Sequence, residues 1–132
     1  WKDGVKEGPC KEYFDNGDPR GEGEYVGGKR NGPWTLWNPG GVRYRLVPYA
    51  DDQMNGVVTE FRPDGSKRSE TEYRSDLIDG TLRAWYENGQ MQMEGKMVGQ
   101  VRQGPWTYWR KDGTVNEAWT GTYVDDVKQE DE

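Results

Sequence analysis

The sequence has no histidine, one cysteine (Cys10) and three serines (Ser66, Ser69 and Ser75) among its 132 residues. Without histidine the commonest general base and the commonest metal ligand are missing. Ser–His and Cys–His nucleophilic catalysis are therefore excluded, and one cysteine cannot supply a zinc site. A lone cysteine forms no intramolecular disulfide and marks no compartment. No run of about eighteen apolar residues occurs, which excludes a transmembrane helix, and no signal-peptide pattern is visible. Leu, Ile, Val and Phe together number only eighteen. In a charged chain that shortage normally signals disorder.

The aromatic content points the other way. Seven Trp and eight Tyr are far more than a disordered chain carries. Eighteen basic residues stand against 24 acidic ones, a net charge of −6, so nucleic-acid phosphates and anionic lipids are not the expected partners. Acidic residues gather at the end (Asp125, Asp126, Glu130, Asp131 and Glu132), and residues 124–132 read as a solvated, disordered acidic tail. The chain starts at Trp1 rather than Met, which suggests a preceding segment and leaves cytoplasmic and exported locations both open.

The arrangement resolves the conflict between aliphatic shortage and aromatic excess, because the sequence repeats every 24 residues. Gly8, Gly32, Gly56, Gly80 and Gly104 open five units. Two residues later comes an apolar side chain: Cys10, Trp34, Val58, Leu82 or Trp106. Five residues after the glycine comes an aromatic: Tyr13, Trp37, Phe61, Trp85 or Trp109. A second glycine (Gly17, Gly41, Gly65, Gly89, Gly113) follows at nine, after Asn16, Gly40, Asp64, Asn88 or Asp112. The slot at seventeen holds Tyr25, Tyr49, Tyr73 and Met97; Trp1 fits the same slot, and in the fifth unit Tyr123 arrives two residues late.

Both glycines sit in dipeptides suited to type I′ hairpin turns, and the segments between carry β-formers such as Trp34-Thr35-Leu36-Trp37. Each unit reads as one β-hairpin, giving an all-β, elongated antiparallel meander of about five 24-residue repeats over residues 1–123. Two strands per unit at ~4.8 Å spacing make an array on the order of 45–50 Å long. The aromatics at the fifth position, Tyr13, Trp37, Phe61, Trp85 and Trp109, are expected to stack as its core. The apolar slots at two and five are an odd number apart, so either both faces carry aromatics or a bulge lies between them.

The runs Asn31–Gly41 (Asn-Gly-Pro-Trp-Thr-x-Trp-x-x-x-Gly), Gln103–Gly113 and Glu22–Gly32 resemble the MORN-repeat variant of bacterial YwqK-like proteins. The resemblance covers about residues 1–123. It implies an extended hairpin sheet, a scaffold, antitoxin or immunity-like role, contacts with proteins or membranes, and no catalytic residues. Leu46–Met54 and the end of unit five depart from the pattern and are expected to bend or cap the sheet.

Other chemistry reads as weak. Carboxylate pairs such as Glu22/Glu24 and Glu70/Glu72 recur in register, as solvated strand positions do. Asp15-Asn16-Gly17-Asp18 lacks the full spacing of a calcium loop. The basic pairs Lys29–Arg30, Lys67–Arg68 and Arg110–Lys111 lie near aromatics, but the acidic balance argues against single-stranded nucleic acid. No cofactor and no metal are expected. The aromatic excess is the best lead, since Trp and Tyr are favoured interface anchors. The candidate partner-binding residues are Trp34, Trp37, Trp85, Tyr86, Trp106, Tyr108, Trp109 and Trp119. They point to a non-enzymatic protein-binding array, with a partner basic on its contacting face. The alternatives are a cell-surface carbohydrate- or choline-binding repeat and a membrane-associated scaffold, the latter disfavoured by charge. Open sheet edges also allow pairing into a dimer.

Overall fold

Residues 3–130 are described in the computed structural model, and among them every regular element is a strand. In chain order they are β1 (Gly8–Tyr13), β2 (Pro19–Val26), β3 (Lys29–Trp37), β4 (Arg43–Ala50), β5 (Gln53–Met54) and β6 (Gly56–Phe61). They continue with β7 (Lys67–Arg74), β8 (Leu77–Trp85), β9 (Met91–Val98), β10 (Val101–Tyr108), β11 (Gly121–Val124) and β12 (Val127–Lys128). All pair antiparallel with their chain neighbours in one open sheet, with the short β5 beside β4 and off the main path. The expected meander is present. Trp1 and the acidic Asp131 and Glu132 lie outside the described residues.

The turns fall at different places from those the Asn-Gly reading assigns. The second glycine of each unit closes a three-residue loop. The Phe14 amide donates to the Asp18 carbonyl at 2.8 Å, and the Gly17 amide returns to the Phe14 carbonyl at 2.9 Å. The same pair of bonds recurs at Asn38, Arg62, Tyr86 and Arg110. In four of these loops only the second glycine is left-handed (Gly17, φ 92°), which makes each a type I turn with a glycine bulge instead of type I′; in the unit-two loop Gly40 is left-handed as well (φ 104°). The Asn or Asp before it accepts the amide two residues on, as in Ser66 to Asp64 and Gln90 to Asn88, both 2.9 Å. Asp15–Asp18 is one of these loops, not a metal loop: Asn16 and Asp18 bond each other, and the Asp18 carboxylate accepts the Gly40 amide. Turns with both φ positive are Asp3–Gly4, Gly27–Gly28, Asp51–Asp52, Ser75–Asp76, Gly99–Gln100 and Asp125–Asp126, and the last five are two-residue links between strands.

The first glycine of units two, four and five lies inside a strand, where it opens a bulge. Glu24 pairs with Asn31 and Glu22 with Thr35, so Gly32-Pro33-Trp34 together face Gly23. Gly104-Pro105-Trp106 likewise face Gly95. Gly32 and Gly104 both have φ near 85°, a left-handed conformation that glycine adopts without penalty.

This bulge builds the core. It lays the Trp34 indole over Gly23, where an added Cβ would stand 2.3 Å from ring atoms. Trp34 Nε1 donates to the Glu24 carbonyl at 3.1 Å. Trp106 repeats the arrangement over Gly95, with Nε1 donating to the Lys96 carbonyl at 2.9 Å. Where the strand before has no glycine, the slot holds a smaller side chain: Leu82 faces Thr71, and Val58 follows Val47. Volume is thus conserved across each strand pair.

Trp34, Trp106, Val47, Val58 and Tyr123 are the buried apolar residues. The core therefore runs through the second position of units two, three and five, with Val47 and Tyr123 beside it, and not along the fifth position. Tyr13 is exposed, and Trp37, Phe61, Trp85 and Trp109 are half-buried at the loop margin. The ring contacts of units one and two join Tyr25 to Trp34 (5.3 Å) and Trp34 to Tyr49 (6.3 Å), both edge-on. The expected stack at the fifth position is corrected by the register. Pairing slips by one between Leu36 and Trp37, and equally at Glu12/Tyr13, Glu60/Phe61 and Ala84/Trp85. A bulge thus separates the second and fifth positions, as one of the two sequence alternatives held.

The sheet is amphipathic. Residues paired directly across strands share a face, so the row through Trp34, Val47, Val58, Leu82 and Trp106 marks the aromatic face. The opposite face carries a row across nine strands that is polar except at Leu46: Lys11, Glu22, Thr35, Leu46, Thr59, Glu70, Arg83, Glu94 and Thr107.

The two-residue turns stitch each unit to the previous one. The amides of Gly28, Asp52, Asp76, Gln100 and Asp126 donate to the carbonyls of Lys6, Arg30, Met54, Ile78 and Arg102. The carboxylates of Asp52, Asp76 and Asp126 also accept the amides of Arg30, Met54 and Arg102. Arg30 and Arg102 add side-chain bonds to the same carboxylates and lie 4.3 Å from the ring centroids of Tyr49 and Tyr123. The acidic stretch from 124 is corrected by the same device. Val124 ends β11, Asp125–Asp126 is a stitched turn, and β12 extends the sheet to Lys128.

Hydrogen bonds from the side chain and then the backbone of Arg102 hold the Asp126 carboxyl below its ordinary range, and Arg30 does the same for Asp52. A carboxyl depressed on folding stabilises the fold above its unfolded pKa of about 3.9, and that contribution is lost as pH falls through the lower folded value. The melting temperature should therefore hold level from neutral pH to about pH 4 and then fall. Asp126→Asn should melt lower at neutral pH and fall less steeply in acid, as followed by circular dichroism.

Each unit touches mainly its neighbours, so an excision that keeps register should be tolerated. Deleting residues 56–79 leaves Asn55 before Gly80, as Asp79 is now. That variant is expected to keep its strand spectrum and a cooperative melt. Deleting residues 56–67 instead should abolish the melt.

Candidate binding groove

Unit five is where the repeat changes length. Tyr123 pairs with Gly104 as Tyr25 pairs with Gly8, Tyr49 with Gly32 and Tyr73 with Gly56. It therefore occupies the slot at seventeen despite arriving two residues late. The extra residues are absorbed in a tight turn, where the amides of Trp119 and Thr120 donate to the Asn116 carbonyl at 3.3 and 3.0 Å. Omitting Glu117 and Ala118 brings Asn116, Trp119 and Gly121 into line with Gln92, Met93 and Gly95.

The turn parts the sheet locally. β10 pairs with β11 only over Gly104–Trp106. Beyond that, the Tyr108 amide donates to Thr120 Oγ1 at 2.8 Å, and the Tyr108 carbonyl accepts the Asn116 amide at 2.8 Å. Two further contacts brace the turn. Tyr123 Oη donates to the Trp119 carbonyl at 2.6 Å, and Lys128 Nζ donates to the carbonyls of Glu117 and Ala118, each at 3.0 Å.

A groove of about 310 Å³ opens between this turn and unit four, lined by Tyr86, Gln92, Met93, Arg102, Tyr108, Trp109, Asn116 and Trp119. Trp106 and Tyr108 stack at 5.9 Å, and Tyr108 meets Trp119 at 6.2 Å with a 52° tilt. Tyr86 Oη donates to the Trp109 carbonyl at 2.6 Å, which ties two of the loops together. Arg102 donates to Tyr108 Oη at 2.9 Å and is ion-paired to Asp126. That pairing holds the guanidinium protonated at every accessible pH and leaves the groove close to neutral. Burial raises the Tyr123 phenol beneath it, so that ring also stays uncharged at neutral pH. Trp119 is 55% exposed at the lip. The side-chain amides of Gln92 and Asn116 have no hydrogen-bond partner among the described residues.

Four of the eight sequence candidates, Tyr86, Tyr108, Trp109 and Trp119, meet in this groove. Trp34 and Trp106 are corrected: each is 2% exposed and belongs to the core, because the glycine opposite lets the indole lie flat. Trp37 ends β3 beside Arg43, and Trp85 ends β8 with its carbonyl bonded to Arg62; neither reaches the groove. Sequence reasoning missed Gln92, Met93, Arg102 and Asn116. The late Tyr123 was the available signal, since it marks the strand pair that must accommodate an insertion.

Two segments match the MORN repeat variant family, residues 6–26 and 78–98. They stand three periods apart and begin two residues before Gly8 and Gly80, so each match is one hairpin of the array: β1–β2 and β8–β9. MORN repeats are non-catalytic modules that bind proteins or membranes. The matched segment 78–98 contributes Tyr86, Gln92 and Met93 to the groove, and the rest of the lining comes from the irregular unit after it. No curated protein matches the chain. Among the described residues no helix is long and apolar enough to cross a membrane.

Proposed function

We propose that the chain is a non-enzymatic protein-binding repeat module that engages its partner through the unit-five groove. The supporting observation is the half-exposed Trp119 against Tyr108, in a groove shared with Trp109, at the one place where the 24-residue period is interrupted. Departures from an otherwise consistent repeat tend to mark function. Trp, Tyr, Met and Arg, which dominate the lining, are the residue types enriched at interface centres. A net charge of −6 favours a partner that is basic on its contacting face. The resemblance to bacterial YwqK-like repeat proteins adds an immunity or antitoxin-like role, in which binding occludes the partner.

The test is affinity capture from source-cell lysate followed by native mass spectrometry. A stoichiometric protein partner is expected with the wild type and not with Trp119→Ala. The Trp119 ring is exposed, and the bonds that hold its turn are accepted by backbone carbonyls rather than by the ring, so this variant should melt within about 0.5 kcal/mol of wild type. Absence of any partner, or equal capture by both proteins, would contradict the proposal.

A further inference from the structure

We propose that the unit-five groove takes one large apolar side chain of an unstructured protein segment, while the Gln92 and Asn116 side-chain amides hydrogen-bond the peptide groups on either side of it. This rests on the protein-binding reading above and names the part of the partner that is bound.

The groove has the composition such an anchor needs. Its floor and walls are Met93, Tyr86, Tyr108 and Trp109, with Trp119 at the lip. About 310 Å³ is room for one large side chain and its flanking amides, and peptide groups free to bond Gln92 and Asn116 are those of a segment outside regular secondary structure. Met93 adds an adaptable, polarisable contact that suits aliphatic side chains of different shapes. The only charged group in the lining, Arg102, is spent on Asp126 and Tyr108, so the groove offers nothing to an anion or to a cationic head. Two polar groups remain unspent, the carboxamides of Gln92 and Asn116. Each has one acceptor and two donor hydrogens, the complement of a peptide C=O and N–H.

They are also equivalent by position. With Glu117 and Ala118 omitted, Asn116 falls in the slot that Gln92 holds one unit earlier. Adjacent repeats therefore present the same kind of group, and the insertion parts them. A saccharide could also stack on Trp119, but the apolar walls and the lack of carboxylates in the lining favour a side chain over a ring bearing hydroxyls.

The test uses the full chain to select from a displayed library of short random peptides, with methyl glycosides as a separate arm. Enriched peptides should share one Leu, Ile, Met or aromatic residue. A synthetic copy should shift the indole N–H resonances of Trp109 and Trp119 and the side-chain amides of Gln92 and Asn116. Its affinity should fall at least tenfold with Trp119→Ala and severalfold with Asn116→Ala, whose side chain has no partner to lose. No enrichment, binding that is equal in wild type and Trp119→Ala, or shifts produced only by a methyl glycoside would overturn the inference. If a protein partner is captured through Trp119 while no peptide is selected, the protein-binding reading stands and the single-anchor inference fails. If neither is found, both fail.

Discussion

Gly95→Ala should destabilise the protein by about 3 kcal/mol or more, an unusually large effect for adding one methyl group. The new Cβ would stand 2.0–2.4 Å from three atoms of the Trp106 ring. The ring cannot retreat freely, because Nε1 is bonded to the Lys96 carbonyl and Tyr108 is stacked against it. Gly23→Ala should behave alike beneath Trp34, while Gly21→Ala should cost far less, since the one tight contact of its Cβ would be the flexible tip of Leu36 at 3.2 Å. The repeat itself supplies the rescue. Leu82 opposite Thr71 is the same pair of slots filled with a smaller inner residue and a larger outer one. Gly95→Ala combined with Trp106→Leu should therefore lose less stability than the two single changes summed. Urea denaturation of the four proteins in the cycle measures this; strict additivity would show that the glycine and the tryptophan do not share the space.

Trp34→Ala should cost about 3–5 kcal/mol, the range for removing a buried large aromatic side chain. It empties a site 2% exposed to solvent and leaves the Glu24 carbonyl without its indole donor. It also removes both edge-on contacts, to Tyr25 of unit one and to Tyr49 of its own unit. Trp37→Ala, three residues along the same strand, should cost clearly less, because that ring is only half-buried at the loop margin. Thermal melts of the pair decide where the core lies. Equal losses, or a larger loss at Trp37, would return the core to the fifth position.

The repeat and its hairpins were legible because glycine and aromatic spacing survive translation along the chain. Which glycines turn the chain was not legible. Asn16-Gly17 and Asn31-Gly32 look alike as dipeptides, yet Gly17 closes a loop and Gly32 opens a bulge inside a strand. The difference is set by the strand alongside: Gly23 stands opposite the Gly32 bulge and gives the Trp34 indole a flat bed. For the same reason Trp34 and Trp106 look like surface aromatics in sequence and are core residues in the fold. The two-residue turns were hidden because several use Asp or Ser at positive φ, as in Asp51–Asp52 and Ser75–Asp76. Those residues are held there by bonds to the preceding unit, a long-range effect that local propensity does not record. Half of the groove was readable from its exposed aromatics. Gln92, Met93, Arg102 and Asn116 were not, because each becomes part of the groove only when the unit-five turn parts the strands.

Deleting Glu117 and Ala118 tests most directly whether the interrupted repeat is the working surface. The deletion restores the 24-residue period and places Gly121 in register with Gly95. The shortened protein, compared with wild type by native mass spectrometry of captured complexes, should keep its strand spectrum and cooperative melt and lose the stoichiometric partner. A shortened protein that folds and still binds its partner as wild type does would contradict the assignment of the groove.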